Sequence, residues 1–215
     1  MPMLEFFIAG GIVAYPLLIL SVLSIALIAE RAVFWWRIQS HQPRLIRDVL
    51  KIYAEDPHLA IHRLKQQANL PMARIFLEAL ALDRPNPDEF RLALESAAQA
   101  EIPFLKRFSV AFETTITVSP LLGLLGTILG LIRSFSALKI GQVSGENAVG
   151  VTGGISEALI STVMGLVVAI FTLMFANLFR GIYQRQLALI QEYGGQLELL
   201  YRRQMESKGQ SVMAK

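Results

Sequence analysis

The chain has 215 residues, of which 53% are hydrophobic and 17% are charged, and it contains no cysteine. An average soluble domain carries about 25% charged residues, so this composition indicates either a membrane protein or a very large core, and the distribution of apolar residues along the chain decides between them. The lack of cysteine excludes a disulfide framework and thiolate metal sites. The net charge of +3 is compatible with nucleic acid binding. However, basic residues retained on one side of a membrane give the same excess, and we expect no nucleic acid partner.

Three uncharged apolar stretches are long enough to cross a membrane, and they run over 6–29, 114–132 and 158–179. Each meets the length of about 17–25 residues that ~30 Å of hydrocarbon requires. The first stretch has no basic residue before it and no small-residue cleavage site after it, so it is not expected to be a cleavable signal peptide. The predicted fold class is all-α: a polytopic membrane protein with three transmembrane helices.

Lysine and arginine residues are distributed unevenly between these stretches. None precedes the first stretch, twelve lie between the first and second, two lie between the second and third, and six follow the third. Because basic residues are retained on the cytoplasmic side, the N-terminus is predicted to lie outside and the C-terminus inside. Trp35, Trp36 and Arg37 are expected to anchor the first helix at the interface with its surrounding lipids.

The charge pattern predicts seven segments. They are an extracytoplasmic N-terminus at 1–5, transmembrane helices at 6–29, 114–132 and 158–179, a helical cytoplasmic loop at 30–113, an extracytoplasmic loop with the start of the third helix at 133–157, and a cytoplasmic helical tail at 180–215. Residues 134–154 of the outer loop are rich in glycine, serine and asparagine, so we expect them to have little to pack against.

Four prolines recur in the predicted cytoplasmic loop at intervals of 14 residues. They are Pro43, Pro57, Pro71 and Pro85. Proline is tolerated in the first turn of a helix but not in its interior, so these four positions are predicted to mark helix starts.

Two longer helices are expected to link the loop and tail to the spans. Residues 86–89 combine an N-cap, a proline at the first helical position and acids in the first turn. The helix that they open is expected to run through Phe104 into the second span, with a kink at Pro103. The third span is expected to continue past Arg180 as one long helix, which is loosened at the glycine pair 194–195.

Small residues line one face of the second span. Gly123, Gly126, Thr127 and Gly130 recur at helical spacing, and Pro120 precedes them. Small residues let helix backbones approach closely in lipid, where apolar burial gives little driving force between helices. The simplest interpretation of the glycines is therefore helix packing, and Pro120 can kink the helix because it frees a carbonyl one turn earlier.

The third span carries a longer stripe of small residues. Its members are Gly154, Ala158, Ser161, Gly165, Ala169, Thr172 and Ala176. Such a regular stripe predicts a buried seam, and lipid is expected to contact the opposite face with Leu166, Ile170 and Phe171. We infer from its length that the seam serves an oligomer or a partner helix.

Three polar residues are predicted to gather at one level in the outer half of the membrane. From the rise per residue, Thr127 and Thr162 each lie about 7–9 Å from the outer ends of their antiparallel spans, near Glu157. A carboxylate on a packed seam marks a polar pathway or a partner site. Two plainer interpretations remain open: Glu157 can be a span boundary, and each threonine can bond to its own helix backbone.

Two segments carry a family resemblance. Residues 119–127 read SPLLGLLGT and residues 154–166 read GISEALISTVMGL, and both resemble the ExbB/TolQ/MotA proton-channel family. The opening, with Gly10-Gly11, Tyr15-Pro16 and Glu30-Arg31, is similar to ExbB-like members. A three-span layout with the N-terminus outside fits the ExbB and TolQ branch, whereas the MotA branch has four spans.

The resemblance implies a homopentamer around a pore in the bacterial inner membrane, with a periplasmic N-terminus. The pore would hold the single transmembrane helices of an ExbD-like partner, whose membrane aspartate carries the proton. Thr127 and Thr162 match the family's pore threonines, Glu157 matches its third-span glutamate, and Ser161 lies beside them. Together with a TonB-like protein, the complex would use the proton motive force to energise outer-membrane transport. One departure is Phe171, where the family usually has proline, which implies a straighter third helix.

Other functions remain open on the sequence alone. A TolQ-like role would couple to envelope integrity, a passive scaffold would use the seam for assembly only, and a self-sufficient channel would conduct without a partner. An enzyme is not expected, because no phosphate loop or nucleophile–base arrangement stands out. His58 and His62 have metal-ligand spacing but no clear third ligand, so no metal site and no cofactor are predicted.

Overall fold

The computed structural model describes residues 10–137 and 145–213. Over these residues it contains helices and no strand, which confirms the all-α prediction. The helices are α1 (Ala14–Glu55), α2 (Pro57–Gln66), α3 (Pro71–Leu80), α4 (Pro87–Leu105), α5 (Ser109–Ala137) and α6 (Gly145–Met213). Three apolar stretches, in α1, α5 and α6, are long enough to cross a membrane.

The described residues form two compact units. The apolar unit contains the residues up to Arg31 and those from Phe108 to Phe179. The polar unit contains the residues from Ala32 to Arg107 and those from Arg180 onward. The candidate functional residues named above all lie in the apolar unit, so the site is built from the first part of α1, from α5 and from the first part of α6.

Small and hydroxylated side chains hold the apolar unit together. The hydroxyls of Ser24 on α1 and Thr172 on α6 share a hydrogen bond of 2.7 Å, and both side chains are buried. Large apolar side chains remain exposed on the outer surfaces of the helices, including Leu166, Ile170 and Phe171. This distribution is typical of helices that pack through polar and small residues while lipid covers their apolar faces.

The described helices extend into the segment that the sequence predicts as the outer loop. Helix α5 extends to Ala137 and helix α6 begins at Gly145, while residues 138–144 lie outside the described residues. The expectation that this segment has little to pack against was wrong at both ends. Ser134 is buried and its hydroxyl donates to the Gly130 carbonyl at 3.1 Å, and Gly154 is also buried. Because both residues are small, they continue the close helix contact beyond the predicted spans.

Two of the four loop prolines begin helices, as predicted. Pro57 and Pro71 occupy first-turn positions of α2 and α3. The prediction was wrong for Pro43, which lies inside α1. The adjacent Gln42 is buried, and its side-chain oxygen accepts a hydrogen bond at 3.4 Å from the backbone N–H of Met72 in the first turn of α3, where N–H groups have no partner within the helix.

The fourth proline, Pro85, precedes the N-cap of α4 and does not begin a helix. Asn86 caps α4 instead. Its side chain accepts hydrogen bonds from the Asp88 and Glu89 backbone, and the Glu89 side chain accepts one from the Asn86 backbone. This capping box confirms the predicted start signal.

The expected continuous helix from α4 into the second span is wrong. Helix α4 passes through Pro103 and ends at Leu105, and α5 begins only at Ser109. Phe108, between them, has φ of 68°, a left-handed conformation that ends a helix. The break between α4 and α5 therefore comes from the backbone conformation of Phe108, whereas Pro103 lies within α4 and does not end it.

Helix α6 is the predicted long helix, and it continues through the glycine pair 194–195 without the expected loosening. In the polar unit its far end contacts α1 and the start of α4. The Gln204 amide donates to the Tyr53 carbonyl at 2.9 Å, and the Tyr201 ring stacks on Phe90 with centroids 4.2 Å apart. Burial, with a smaller effect of Tyr201, raises the pKa of Tyr53 to about 12.

The predicted interfacial anchor is divided between two environments. Trp35 is buried and contacts Phe34 edge-to-face, whereas Trp36 is 70% exposed. Arg37 is exposed as well. Trp36 and Arg37 therefore remain available to contact an interface, while Trp35 contributes to packing.

An ion pair between a half-exposed arginine and a buried glutamate joins α3 to α4 in the polar unit. The Arg74 guanidinium contacts the Glu101 carboxylate through two hydrogen bonds of 2.6 and 2.5 Å, and the Glu101 side chain is only 9% exposed. The hydrogen bond that Arg74 donates to the Glu101 carboxylate raises the pKa of Arg74 further above its ordinary value. The pair fixes the two packed helices at a defined register.

Replacement of Arg74 by methionine is expected to destabilise the polar unit by about 2 kcal/mol, because it leaves a buried carboxylate without its partner. Arg91→Met is the matched control, since Arg91 and Glu95 form an exposed pair within one helix, which is worth about 0.5 kcal/mol or less. Thermal unfolding of the purified protein in detergent checks both. Equal effects of the two substitutions would contradict this account of the Arg74 pair.

Candidate functional site

Helices α5 and α6 of the apolar unit meet through glycine. A Cβ atom added at Gly165 would lie 2.5 Å from the Ser119 carbonyl oxygen, and one added at Gly130 would lie 2.6 Å from the Gly154 carbonyl oxygen. A Cβ at Gly123 would come within 3.1 Å of the Thr162 backbone. Neighbours this close do not admit a larger residue, so the two backbones are in direct contact.

Further small residues complete this seam. Gly126 faces Ser161 so closely that an added Cβ would overlap the serine side chain. Ala158 and Ala169 are buried, and Pro120, which lies inside α5, is half-buried. The inference that the stripe on the third span needs an oligomer or a partner helix is therefore corrected, because α5 of the same chain offers a matching face.

Two hydroxyls of α6 lie at the seam and contact the same carbonyl of α5. Ser161 donates to the Ala158 carbonyl at 2.8 Å and approaches the Gly123 carbonyl at 3.4 Å. Thr162 lies 3.3 Å from the Gly123 carbonyl and 3.4 Å from that of Ala158. Ser161 is fully buried, whereas Thr162 is half-buried at the edge of the seam. The Thr162 side chain is therefore partly accessible to a neighbouring molecule, whereas that of Ser161 is not.

The two pore-threonine candidates lie at neighbouring levels. Thr127 is half-buried and donates to the Leu124 carbonyl at 2.6 Å. Thr162 faces Gly123, which precedes Thr127 by four residues, or ~6 Å along the span. The structure thus does not bring them to one level as predicted, because the glycine contacts set the register of the helices. Both hydroxyls bond to backbone, which is the plainer role left open above.

Glu157 lies at the end of the seam, where three elements meet. Its carboxylate contacts Arg133 of α5 through one guanidinium nitrogen, at 2.6 Å and 2.8 Å to the two oxygens. It also lies against Gly11, whose φ of 66° and lack of a side chain leave room for the carboxylate. The Glu157 side chain is 17% exposed. The carboxylate is therefore held by a cation, and the threonine hydroxyls bond to backbone carbonyls instead.

This arrangement offers hydroxyl and carboxylate groups along one pair of helices. Among the described residues, no group of three metal-binding side chains occurs. His62 pairs with Gln66 at 3.2 Å on an exposed helix face, and the backbone of His58 serves the cap of α2. The two histidines thus occupy ordinary helix-surface positions.

Sequence reasoning missed two contacts of the apolar unit. Arg133 entered the sequence analysis only as one of the two basic residues between the second and third stretches, although an arginine and a glutamate that flank a short connection can pair across the two helices. Ser24 was not considered, because a single serine in the first span gives no indication of its partner on α6. Both contacts depend on helix register, which the sequence does not specify.

Comparisons with known proteins identify relatives of this chain. The model of the MotA/TolQ/ExbB proton channel family matches residues 67–192. A Synechocystis sp. protein named as ExbB-like 3 is 68% identical over 195 residues, which cover 91% of this chain and 93% of the relative. Another, named as ExbB-like 1, is 39% identical over 93% of this chain and 79% of the relative.

A shorter match reaches the biopolymer transport protein ExbB of Salmonella typhimurium, which is 32% identical over 54% of this chain and 46% of the relative. The family match covers α3, α4, α5 and α6 up to residue 192, and it includes the whole seam between α5 and α6. The match with ExbB-like 3 covers nearly the full length of both chains. The chain belongs to the MotA/TolQ/ExbB proton channel family.

Proposed function

We propose that this chain is the proton-channel subunit of an ExbB–ExbD-like motor in the bacterial inner membrane. The family match carries the proposal, and two relatives that cover most of this chain bear ExbB-like names. In this role the complex uses the proton motive force to energise TonB-dependent transport across the outer membrane. The partners are a single-span, ExbD-like protein with a membrane aspartate and a TonB-like protein.

The packing of the apolar unit supports an assembly of several chains. The seam between α5 and α6 is closed within one chain, so each chain can act as a preformed element of a larger ring. Outside the seam, apolar side chains of α5 and α6 are exposed, for example Leu124, Ile128 and Leu166. Half-buried Thr127 and Thr162 lie between these two regions. A homopentamer that surrounds the partner's helices would place these threonines at its pore and leave the outermost faces to membrane lipids.

The proposed orientation follows the distribution of basic residues. The N-terminus and the residues between α5 and α6 lie in the periplasm, and the polar unit lies in the cytoplasm. The segment boundaries inferred from charge remain those given above, although α1 and α6 continue as helices beyond the hydrocarbon. Glu157 and Arg133 then lie at the periplasmic end of the pore.

The mechanism couples proton movement to motion of the partner. Each proton that crosses the membrane releases about 2.3 kcal/mol per 100 mV of membrane potential. The proton neutralises the partner's aspartate for a short time, and the neutral side chain can move past the apolar lining of the ring. Thr127 and Thr162 supply hydroxyls beside this path. Buried Ser161 lies behind them in the seam, where its hydroxyl approaches the Gly123 carbonyl.

Two other functions make different demands on the same residues. A TolQ-like subunit would use the same proton path but would support envelope integrity, so its loss would leave TonB-dependent uptake intact. A passive scaffold would use the helix packing alone, and it would tolerate apolar replacements at Glu157, Thr127 and Thr162.

Replacement of Thr162 by alanine is expected to lower coupled transport at least tenfold while assembly persists, because the hydroxyl beside the proton path is lost and only two long hydrogen bonds are removed. Thr117→Ala is the matched control, since Thr117 is exposed on α5 and bonds only to the Glu113 carbonyl. The measurement is the uptake of a TonB-dependent substrate by cells that carry each variant. The amount of complex extracted from their membranes is quantified in parallel. Normal uptake in the Thr162 variant would refute the assignment.

A further inference from the structure

A cleft in the polar unit lies between the second half of α1 and the end of α2. Its volume is about 950 Å³, which lies within the range of about 300–1,000 Å³ that small-molecule sites have. Leu45, Val49 and Ile52 of α1 line it with apolar side chains at helical spacing. The cleft is therefore large enough for a group bigger than a single ion, and the proton path proposed above does not use it.

Positive charge is concentrated around this cleft. Arg44 and Lys51 of α1 and Arg63 of α2 line it, and all three are exposed. Arg44 and Lys51 are seven residues apart, so they lie on one face of α1, about 10 Å from each other along its axis. Asp48 is the one carboxylate among the lining residues that the structure describes. Three cations thus accompany one carboxylate, and this excess of positive charge favours an anion.

The protein itself does not neutralise these three cations. Five other arginines form ion pairs with carboxylates, namely Arg31, Arg74, Arg91, Arg133 and Arg202. Asp48 lies four residues after Arg44 and three before Lys51, a spacing at which ion pairs form within a helix. Between described residues, however, neither these two cations nor Arg63 forms an ion pair. Their N–H groups therefore remain available to an acceptor from outside the chain.

Amide side chains add neutral hydrogen-bond donors at the same cleft. Gln39 of α1 and Gln67 at the end of α2 both line it. Each amide can donate two hydrogen bonds, a lysine three and an arginine five from a planar fork. The arginine fork matches the spacing of phosphate oxygens, and lysine binds phosphate as a point charge. The combination of two arginines, a lysine and amides therefore suits a phosphate group.

The cleft begins close to the expected membrane interface. Gln39 follows exposed Trp36 by three residues, or ~4.5 Å along α1, and Lys51 lies ~18 Å further along the same helix. A phospholipid headgroup can therefore reach the near end of the cleft, whereas a dissolved phosphate compound can enter along its length. Both sources present the same phosphate oxygens to the cations.

We propose that this cleft binds a phosphate-bearing ligand, with Arg44, Lys51 and Arg63 as its charged contacts. The phosphate belongs to a lipid headgroup or to a soluble compound, and the experiment below distinguishes these sources. Because the contacts come from both α1 and α2, the bound ligand links the two helices and stabilises the polar unit. This binding site is separate from the proposed proton path and does not depend on it.

Acetylation of lysine side chains tests the occupancy of the cleft in the full-length protein. Lys51 lines the cleft, whereas Lys65 on α2 is exposed outside it and serves as an internal control. Peptide mass spectrometry measures the acetylation rate of both lysines. The protein is labelled in lipid-free detergent with and without inorganic pyrophosphate, and in nanodiscs of phosphatidylcholine with and without phosphatidylglycerol.

At least one of the two anions is expected to slow acetylation of Lys51 about threefold or more, because a bound phosphate engages its ammonium group, while the rate at Lys65 stays unchanged. Protection by pyrophosphate assigns a soluble ligand. Protection by phosphatidylglycerol without protection by pyrophosphate assigns a lipid headgroup. Equal acetylation of Lys51 under all four conditions would overturn the inference, as would equal protection of the two lysines, which would show a non-specific attraction of anions.

Three variants test the contacts with the anion that protects Lys51. Arg44→Gln should raise the anion concentration that gives half-protection about tenfold, because a charge-assisted contact is lost. Arg47→Gln is the matched control, since Arg47 is exposed on the same helix and does not line the cleft. Asp48→Asn removes a like charge and should lower that concentration. Equal effects of the two arginine substitutions, or weaker binding after Asp48→Asn, would overturn the inference. The comparison of Lys51 with Lys65 is made in the wild type, so it does not depend on the folding of any variant.

Discussion

Alanine in place of Gly165 is expected to lower the free energy of unfolding of the apolar unit by about 3 kcal/mol. The added methyl group would lie 2.5 Å from the Ser119 carbonyl oxygen and 3.1 Å from the Gly123 Cα atom. Both neighbours are backbone and cannot rotate away, so α5 and α6 must separate and lose contact along the seam. Thermal unfolding of the purified protein, followed by circular dichroism, measures the loss.

Gly153→Ala provides the matched control for this experiment. Gly153 lies on the same helix, and its added Cβ would have no neighbour within 4 Å. Alanine favours helix over glycine by about 0.5–1 kcal/mol, so this variant should be as stable as the wild type or slightly more stable. A Gly165 variant as stable as its control would show that the close contact of the two helices is not required for folding.

Replacement of Arg31 by alanine is expected to destabilise the apolar unit by about 3 kcal/mol. The Arg31 side chain is 3% exposed, contacts the Glu30 carboxylate at 2.6 Å and 2.9 Å, and lies 5.4 Å from the centre of the Phe108 ring. Loss of this side chain leaves a cavity. It also removes the cation that lies over the ring of Phe108, the last residue before α5.

Arg37→Ala is the control for Arg31, because Arg37 follows on the same helix and is exposed. Its substitution should change stability by about 0.5 kcal/mol or less. Limited proteolysis adds a local measurement, since the Arg31 variant should be cleaved faster near Phe108 than the wild type. Equal melting temperatures and equal cleavage patterns for the two variants would contradict the role given to Arg31.

The helical content of this protein could be predicted because its signals are local. Uncharged stretches of span length give the apolar parts of α1, α5 and α6 without reference to any contact. The cap at Asn86 is equally local, since the donor and acceptor groups lie within three residues. The glycine spacing also identified the face through which α5 and α6 approach each other.

Errors arose where the outcome depends on distant residues. Pro43 sits inside α1, and Phe108 interrupts the expected helix by adopting a positive φ. A sequence pattern gives no register for two antiparallel helices, so the offset between Thr127 and Thr162 could not be obtained from depth alone. The pairing of Arg133 with Glu157 depends on the same register.

The central proposal is that this chain conducts protons together with a one-span partner, and proton flux in liposomes tests it most directly. Flux is measured for this chain alone, for the complex, for the complex with Thr162→Ala, and for the complex with asparagine in place of the partner's membrane aspartate. The account predicts flux only in the unmodified complex and its loss in both variants. An intact complex without flux would contradict the account and favour a scaffold, and flux from this chain alone would contradict the need for a partner.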